Sequence, residues 1–251
     1  MKQSMIIYTQ QDKYEEKACS LARELGAQVV HERAAAEEQD VFLRIDEEGI
    51  ALAGGGLTLR ADLTKMLPRI REVNLRSELL VRAARIRGET GPLTAVDATA
   101  GFGEDSLLLA AAGFSVRMYE YNPVTAILLR DALARIAMVP EFSDIAARME
   151  LVQEDSVQAL PLLSYKPDVI LLDPMFPARQ KSGLIRKKLQ LIQKLEQPCA
   201  DEQALVEAAL AAHPRKIVIK RPLKGPYLAG IRPGYSIEGK VIRYDCIVPP
   251  A

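Results

Sequence analysis

The chain has 251 residues, enough for one large domain or for a catalytic domain with a small appendage. Its apolar fraction of 49% and charged fraction of 26% are ordinary for a soluble globular protein, and no apolar run is long enough to predict a membrane span. Three widely spaced cysteines and the lack of a signal-peptide core favour a cytoplasmic protein, and two isolated histidines predict no metal site.

The net charge is zero, but the charges are segregated along the sequence. Residues 60–87, 179–194 and 215–243 together carry 22 of the 33 basic residues and 4 of the 33 acidic ones. A neutral protein with such segregation can present one basic face, the kind of surface that phosphate backbones require. Three separate patches that point in different directions are the other interpretation, and the sequence leaves both open.

The N-terminal part predicts a small α/β region. Residues 5–8 form a short apolar run typical of a strand, and Asp12 is a suitable cap for a helix that Gly26 ends. A basic segment with apolar residues at near-helical spacing follows and predicts a helical connector over 65–87. Further short strands, separated by glycine turns, are expected around 41–45, 50–53 and 57–61.

Strands and helices alternate from Leu93 onward, which predicts a doubly wound, Rossmann-like parallel sheet of the α/β class with right-handed crossovers. An antiparallel pair with its turn at Glu238-Gly239 is expected to extend one edge of that sheet. The predicted strands are 93–96, 116–119, 150–152, 169–172, 216–219, 230–235 and 240–248, and the predicted helices are 107–112, 122–137, 184–195 and 202–212. The predicted domain limits are 1–64 for the N-terminal α/β region, 65–90 for the connector and 91–251 for the catalytic domain.

The first strand of the catalytic domain ends in a glycine loop that is crowded by acids. Gly101 and Gly103 allow a tight turn and a close approach of a ligand. Dinucleotide-binding enzymes share this pattern, but Ser106 replaces their third glycine, and the acids would repel a pyrophosphate. A cofactor with an ammonium and a sulfonium and no phosphate is favoured, and S-adenosylmethionine has these properties. The acids of the loop are Asp97, Glu104 and Asp105.

Acids also follow the next strands. Glu120 ends the second strand, where a carboxylate can accept both ribose hydroxyls of a nucleoside. Asp155 and Ser156 follow the third strand, where they can meet an adenine amino group. Each residue alone is commonly a surface residue. Four acidic strand ends in sequence order together predict a methyltransferase-type site: Asp97, Glu120, Asp155 and Asp173.

The fourth strand leads into Asp173-Pro174-Met175-Phe176. The carboxylate and the proline carbonyl can accept two N–H bonds from one planar amino group, and the phenyl ring can stack on the base or amide that carries it. Enzymes that methylate an exocyclic or amide nitrogen need this arrangement. We therefore predict that Asp173, Pro174 and Phe176 are catalytic.

Basic residues follow this loop directly and also end the fifth strand. We predict that they contact phosphates beside the target base, which implies a steep dependence of binding on salt. An exposed amphipathic helix explains the first group equally well, and both interpretations can hold together. The predicted RNA-binding residues are Arg179, Lys181, Arg186, Lys187, Lys188, Lys220 and Arg221.

From about Arg76 to its C-terminus, the chain resembles the RsmJ-type 16S ribosomal RNA guanine-N2 methyltransferases, which have a class I S-adenosylmethionine-dependent methyltransferase fold. The resemblance implies methyl transfer to the exocyclic amine of a guanosine near the 3′ end of 16S rRNA, either in the free rRNA or in the small ribosomal subunit. The motifs that carry it are 96–105, 120–123, 172–177 with Gln180-Lys181-Ser182, and 218–222. The cofactor contacts that it implies are Glu104, Asp105, Glu120, Tyr121, Asp155, Ser156 and Asp173. Some members have basic residues at the positions of Glu104 and Tyr121 and a serine at that of Asp155, so backbone groups can supply these three contacts.

Three other functions are compatible with parts of this pattern. The acceptor of the same chemistry can be a DNA adenine, a protein glutamine amide or a small amine. A non-catalytic RNA-binding module could keep the fold without binding the cofactor. A nucleotide-dependent oxidoreductase shares the glycine loop, although the acids disfavour it. No membrane or metal partner is expected, and the sequence does not give the oligomeric state.

Overall fold

The computed structural model describes residues 5–89, 91–174, 191 and 201–250, which form two compact units. The first unit contains the residues up to Asp62 together with Asn122–Arg135, and the second contains Leu63–Tyr121 and most of the chain after Arg135. The helix predicted at 184–195 lies outside the described residues except for Leu191, which is helical and buried. No helix in the described part of the chain has both the length and the apolar character needed to cross a bilayer.

The first unit is built on a five-stranded mixed sheet with the strand order β2-β1-β3-β4-β5. Strand β1 lies between β2 and β3 and pairs in parallel with both, and β3, β4 and β5 are joined by antiparallel hairpins. Strand β2 was not predicted from the sequence. The strands are β1 (Ile6–Tyr8), β2 (Gln28–Val30), β3 (Phe42–Asp46), β4 (Gly49–Gly54) and β5 (Leu57–Leu59).

The second unit contains a seven-stranded sheet with the order β11-β12-β10-β9-β6-β7-β8. Strands β8, β7, β6, β9 and β10 are parallel, whereas β12 and β11 add antiparallel strands at one edge. This topology confirms the predicted doubly wound α/β fold and its antiparallel edge. The strands are β6 (Leu93–Asp97), β7 (Phe114–Tyr119), β8 (Met149–Val152), β9 (Val169–Leu172), β10 (Lys216–Pro222), β11 (Tyr235–Glu238) and β12 (Ile242–Ile247).

Helices flank both sheets, and short 3₁₀ turns connect several elements. The α-helices are α1 (Glu15–Leu25), α2 (Arg33–Glu37), α3 (Leu67–Ile70), α4 (Glu72–Leu75), α5 (Leu79–Ala84), α6 (Glu104–Ala111), α7 (Pro123–Ala137), α8 (Pro140–Ala146), α9 (Ser156–Ala159) and α10 (Glu202–Ala211). The 3₁₀ turns are Asp12–Tyr14, Leu63–Met66, Leu160–Leu162 and Leu228–Gly230.

The core of the second unit explains why strand β9 is so apolar. All four of its residues have no exposed surface, because helices cover both faces of a parallel sheet. On one face, Leu172 packs in a cluster with Leu205, Val206 and Ala209 of α10. Each fully buried aliphatic side chain of this size contributes roughly 1.5–3 kcal/mol. This rigid strand places the residue that follows it, Asp173, at a fixed point on the sheet edge.

A buried carboxylate organises the first unit. Asp131 of α7 accepts hydrogen bonds from Lys17 (2.8 Å), Arg135 (3.0 Å) and the backbone N–H of Ile50 (3.1 Å). Burial would raise the pKa of Asp131, but these three donors outweigh it and lower the pKa. Gly49 has a φ of +109°, and a Cβ there would lie 2.4 Å from a carboxylate oxygen of Asp131, so the first position of β4 requires glycine. These contacts bind residues 122–135 to the N-terminal strands, while the predicted domain limits at 64 and 90 stay a prediction.

Two helical predictions differ from the structure. Helix α6 begins at Glu104 rather than Leu107, because Gly103 takes a left-handed conformation and starts the helix directly after the loop. The connector is divided into α3, α4 and α5 by extended backbone at Arg71 and Glu78. The Asn74 side chain donates to the Pro68 carbonyl (2.8 Å), and a local bond of this kind competes with a continuous helix.

The first strand of the terminal hairpin was placed wrongly. It was expected at 230–235, but β11 covers Tyr235–Glu238. Residues 228–230 form a 3₁₀ turn in which Ala229 has a φ of +49°, so the chain cannot enter a strand there. The turn after Glu238 and the antiparallel pairing agree with the prediction.

Candidate active site

The predicted acids lie along one edge of the seven-stranded sheet. Strands β8, β7, β6 and β9 are neighbours in that order, and an acid stands at or just after the carboxyl end of each. Neighbouring strands are about 4.8 Å apart, so the four ends cover roughly 14 Å. Ligands of open α/β sheets bind at this edge. The acids in sheet order are Asp155, Glu120, Asp97 and Asp173.

The glycine loop after β6 is fastened to the neighbouring strand β7. Gly101 and Gly103 have φ values of +54° and +76°, a conformation that favours glycine at both positions. The N–H of Ala100 donates to the Tyr119 carbonyl (3.1 Å), and the N–H of Gly101 donates to a carboxylate oxygen of Glu120 (3.0 Å). A carboxylate has capacity for several hydrogen bonds, so Glu120 can hold the loop and still accept hydroxyl donors from a ligand.

Asp97 is buried at the end of β6, with only 2% of its surface exposed. It accepts hydrogen bonds from the Ser106 hydroxyl (2.5 Å) and the Thr99 N–H (3.1 Å). Burial raises the pKa of Asp97 to about 7, and the charges of Asp105 and Asp173 add to that effect. Asp97 therefore changes its charge near neutral pH, at the centre of the acidic edge.

The remaining predicted cofactor residues lie at the same edge with different exposure. Asp155 is exposed and caps α9, because its side chain accepts from the Val157 N–H (2.9 Å), while Ser156 is buried. Glu104 is the first residue of α6. Tyr121 follows β7 and is exposed.

Asp173 and Asp105 share a lysine. The Lys220 ammonium lies 2.8 Å from a carboxylate oxygen of Asp173 and 2.7 Å from one of Asp105. Burial raises the pKa of Asp173, and Lys220 opposes that rise. Burial alone would lower the pKa of Lys220, but the two carboxylates outweigh it and raise the pKa. The backbone N–H of Asp173 also donates to the Thr99 hydroxyl (2.7 Å), which ties the loop after β9 to the glycine loop.

Two of the predicted RNA-binding residues lie inside the second unit. Lys220 contacts the carboxylates of the site. Arg221 is 1% exposed, its Nε donates to the Pro226 carbonyl (2.8 Å), and burial lowers its pKa. A buried guanidinium does not reach a phosphate, so we do not retain Arg221 among the proposed RNA contacts. The other predicted catalytic and RNA-binding residues lie outside the described residues: Phe176, Arg179, Lys181, Arg186, Lys187 and Lys188.

Sequence reasoning missed three polar contacts of this edge. Ser106 was noted only as a replacement for glycine, and Thr99 was not considered. Tyr244 lies opposite Lys220 in the antiparallel register of β12 and is buried. Its pKa is raised by burial first and then by the charges of Asp105 and Asp173. The sequence signal for Ser106 was a hydroxyl in the first turn of a helix, near an acid at the end of a strand. Tyr244 could be found only from the register of β12 against β10.

These residues fit S-adenosylmethionine and do not fit a dinucleotide. Carboxylates attract an ammonium and a sulfonium and accept hydroxyl and amino donors from a nucleoside. Glu104 and Asp105 occupy the first turn of α6, where a pyrophosphate-binding enzyme presents unobstructed N–H groups. Among the described residues, no group of three His, Cys, Asp or Glu side chains could hold a metal ion.

The parallel sheet, its glycine loop and its acidic carboxyl edge define an S-adenosylmethionine-dependent methyltransferase. The family model for SAM-dependent methyltransferases matches residues 29–249 of this chain. The crystal structure of a SAM-dependent methyltransferase from Neisseria gonorrhoeae superposes with a TM-score of 0.76 at 30% identity, covering 97% of this chain and 95% of that one.

Within that class, the chain belongs to the family of ribosomal RNA small subunit methyltransferase J. It is 36% identical to the protein of that name from Thioalkalivibrio sulfidiphilus, over 93% of each chain. It is 40% identical to the one from Nitrosococcus oceani, over 76% of each chain. The resemblance noted from the sequence motifs is thereby confirmed.

Proposed function

We propose that this enzyme transfers the methyl group of S-adenosylmethionine to the exocyclic N2 of a guanosine near the 3′ end of 16S rRNA, in the free rRNA or in the small ribosomal subunit. The observation that carries the proposal is the position of Asp173-Pro174 at the end of β9, beside the acidic cofactor edge. The names of the relatives, which refer to small-subunit ribosomal RNA, support the substrate class. Ribosomal subunits are assembled in the cytoplasm, so we place the reaction there.

The chemical difficulty is the weak nucleophilicity of the guanine amine, whose lone pair is delocalised into the ring. Asp173 and the Pro174 carbonyl accept its two hydrogens and draw the nitrogen towards tetrahedral geometry. The bound cofactor supplies an electrophilic methyl group on a sulfonium. Holding the nitrogen in line with that methyl group provides most of the acceleration, through positioning and electrostatics rather than strong base catalysis.

Lys220 keeps Asp173 in its accepting form. Burial favours protonation of this carboxyl group, and a protonated oxygen would donate rather than accept. The ammonium 2.8 Å away stabilises the ionised form and fixes one carboxylate oxygen. The amine loses its proton only after the nitrogen is alkylated and has become acidic, so Asp173 need not be a strong base.

The other strand ends bind the cofactor. We assign the ribose hydroxyls to Glu120, which already faces the glycine loop through Gly101. The adenine amino group is assigned to Asp155 and Ser156 at the end of β8. Asp97 and Asp105 supply negative potential for the methionine ammonium and the sulfonium.

The contacts to the base and the RNA rest on the sequence alone. Phe176 is assigned to stack on the guanine, a contact worth about 1–3 kcal/mol in single-stranded sites. The base must leave its stack to reach the sheet edge. The basic residues between Arg179 and Lys188 are assigned to phosphates beside the target.

The experiment that tests the proposal is tritium transfer from labelled S-adenosylmethionine to naked 16S rRNA and to small subunits that lack the modification, followed by nucleoside analysis. We expect N2-methylguanosine in at least one of the two substrates. Cofactor binding without label in either RNA would remove the rRNA assignment. Label in DNA adenine or in a protein glutamine amide under the same conditions would identify the acceptor instead.

A further inference from the structure

A second polar site lies at the other end of the strands of the seven-stranded sheet, away from the acidic edge. A cavity of about 730 Å³ opens beside the start of β10, at the end of the strands away from the acidic edge. None of the acids of the active site lines it. Five of its lining residues are basic: Arg82, Arg85, Arg87, Arg215 and Lys216. We call this cavity the basic groove.

Two of the three basic segments of the sequence meet in this groove. Residues 60–87 contribute three arginines from α5 and the turn after it, and residues 215–243 contribute Arg215 and Lys216. The fold therefore concentrates charge from distant parts of the chain at one place. The sequence left open whether the basic segments form one face or separate patches. These two segments do come together on one face.

Most of this charge is available to a ligand. Arg215 is neutralised, because it pairs with Glu89 (3.0 Å) and Asp168 (3.1 Å). Arg82, Arg85 and Arg87 are exposed, and none of them forms an ion pair with any part of the chain that the structure describes. Three such guanidiniums around one cavity are a site for an anion with several negative charges.

Lys216 forms the buried base of the groove. It is buried, and its ammonium donates to the carbonyls of Ala83 (3.0 Å) and Arg85 (2.5 Å) at the C-terminal end of α5. These bonds fix the backbone that carries the exposed arginines. Burial lowers the pKa of Lys216, and the charge of Arg87 lowers it further, as expected for a region of positive potential.

An aromatic and aliphatic wall completes the groove. Tyr235 is 43% exposed, and the Lys216 ammonium lies 5.8 Å from its ring centroid. Ile237 and the exposed Val248 also line the cavity. A basic rim beside an aromatic face is the combination that binds a nucleic-acid backbone together with a base or a ribose.

We propose that the basic groove binds the phosphate backbone of the RNA substrate at a second contact, remote from the methyl-transfer site. Taking RNA as the polyanion rests on the proposed function. Lys216 and Lys220 are four residues apart on β10, so their Cα atoms are about 13 Å apart and the groove is separate from the transfer site. The groove therefore contacts nucleotides beside the target guanosine rather than the guanosine itself.

The test compares charge variants of the full-length protein. Arg85→Glu with Arg87→Glu reverses the charge of the groove, and Arg85→Gln with Arg87→Gln removes it. Lys13→Glu is the control, since Lys13 is an exposed residue of the first unit and its reversal alters net charge outside the groove. The probes are a 16S rRNA transcript and small subunits lacking the modification, with affinity measured over a series of salt concentrations. S-adenosylmethionine binding and thermal unfolding are measured for every variant.

We expect the Glu pair to weaken binding to the transcript about tenfold or more, with the Gln pair intermediate and cofactor binding unchanged. The slope of log affinity against log salt should become shallower by about 0.7–0.9 for each lost phosphate contact. KM for RNA should rise while kcat is retained at saturating RNA. Affinity and salt slope equal to those of Lys13→Glu would overturn the proposal. A loss of affinity for small subunits but not for the transcript would also overturn it and would indicate a ribosomal protein as the partner.

This readout separates the two proposals. A wild-type enzyme that binds the transcript through the groove but methylates another acceptor would contradict the proposed function alone. If the variant with both Glu substitutions forms N2-methylguanosine with a wild-type KM for RNA, only the proposal for the basic groove is contradicted. If the variant with both Glu substitutions unfolds, the variant with both Gln substitutions is compared with Lys13→Glu by the same measurements.

Discussion

Lys216 and Lys220 lie on the same strand, four residues apart, and their surroundings are opposite in charge. Lys216 donates hydrogen bonds to two carbonyls at the end of α5 and lies in the positive field of Arg87. Its pKa is lowered chiefly by burial. Lys220 lies between Asp105 and Asp173, and those carboxylates raise its pKa despite burial. One strand thus carries the same side chain into two different electrostatic environments.

The difference shows how a protein of zero net charge can serve both a cationic cofactor and a polyanionic substrate. Parallel strands gather their carboxyl ends at one edge, where acids of adjacent strands form the proposed cofactor site. The opposite edge of the sheet collects arginines from α5 and from the start of β10. The two lysines that mark these regions are about 13 Å apart along β10, so the acidic and basic groups occupy separate places on the sheet.

The largest effect is expected from Asp173→Ala. Removal of the carboxylate leaves the amine with one acceptor and should lower kcat by about a hundredfold to a thousandfold, comparable to the loss of a principal transition-state hydrogen bond. Cofactor affinity should fall far less than kcat, because Asp173 is one of several acids at the cofactor edge. Thermal stability should stay near wild type, because Asp173 is only half-buried and follows β9. Tritium transfer, calorimetry and thermal unfolding measure the three quantities. Asp173→Asn is the matched control, and wild-type turnover in the Ala variant would refute the mechanism.

Lys220→Met should have the next largest effect, roughly tenfold to a hundredfold on kcat near neutral pH. Without the ammonium, burial and the charge of Asp105 raise the pKa of Asp173 further, so a larger fraction of the carboxyl group is protonated. The acid limb of the pH–rate profile should therefore move to higher pH. Lys220→Arg retains the charge and should keep the wild-type profile. If both variants lost activity without any shift of the profile, a structural role for Lys220 would be indicated.

A smaller effect concerns pH and cofactor affinity. Asp97 ionises as the pH rises through about 7, and only the ionised form attracts the cationic cofactor. S-adenosylmethionine affinity should rise up to about tenfold between pH 6 and pH 8 in wild type, since a tenfold change corresponds to 1.4 kcal/mol of interaction. Asp97→Asn should flatten this dependence, which calorimetry at several pH values can establish. A wild-type affinity that is independent of pH would contradict the role of Asp97.

The same ionisation should be visible in stability. Because the folded-state pKa of Asp97 is raised, the folded protein binds the proton more tightly than the unfolded chain between pH 3.8 and about 7. The contribution of Asp97 to the free energy of unfolding therefore falls as the pH rises through that window. Asp97→Asn should gain stability relative to wild type over the same interval.

The acidic edge could be predicted from sequence because of one topological rule. Once β6 to β9 are recognised as parallel strands, Asp97, Glu120, Asp155 and Asp173 must share an edge, whatever the details of packing. The fold class and the family are confirmed, while the individual roles of these residues stay predictions. Lys220 was assigned to RNA because its neighbours in sequence are basic, and nothing in the sequence measures its distance to Asp105 on α6.

The basic groove could not be predicted for a related reason. Lys216 and its acceptor Ala83 are 133 positions apart, and their contact depends on how α5 packs against the start of β10. Tyr235 enters the groove only because β11 begins there, and the prediction ended the strand at that residue. Periodicity and motif spacing describe neighbours along the chain, whereas surface charge depends on which distant segments meet.

The last prediction separates the two lysines by stability alone. Lys216→Met should cost about 1–3 kcal/mol, because two carbonyls at the end of α5 lose their donor. The folded-state pKa of Lys216 is lowered, so its contribution to stability rises as the pH approaches 10.5, the value of an unperturbed lysine. That of Lys220 is raised, so its contribution is complete below 10.5 and is lost only above it. Urea unfolding at pH 8 and pH 10 should thus show the deficit of Lys216→Met growing with pH and that of Lys220→Met staying constant. Equal behaviour of the two variants would mean that the two ends of β10 do not differ in potential as their contacts indicate.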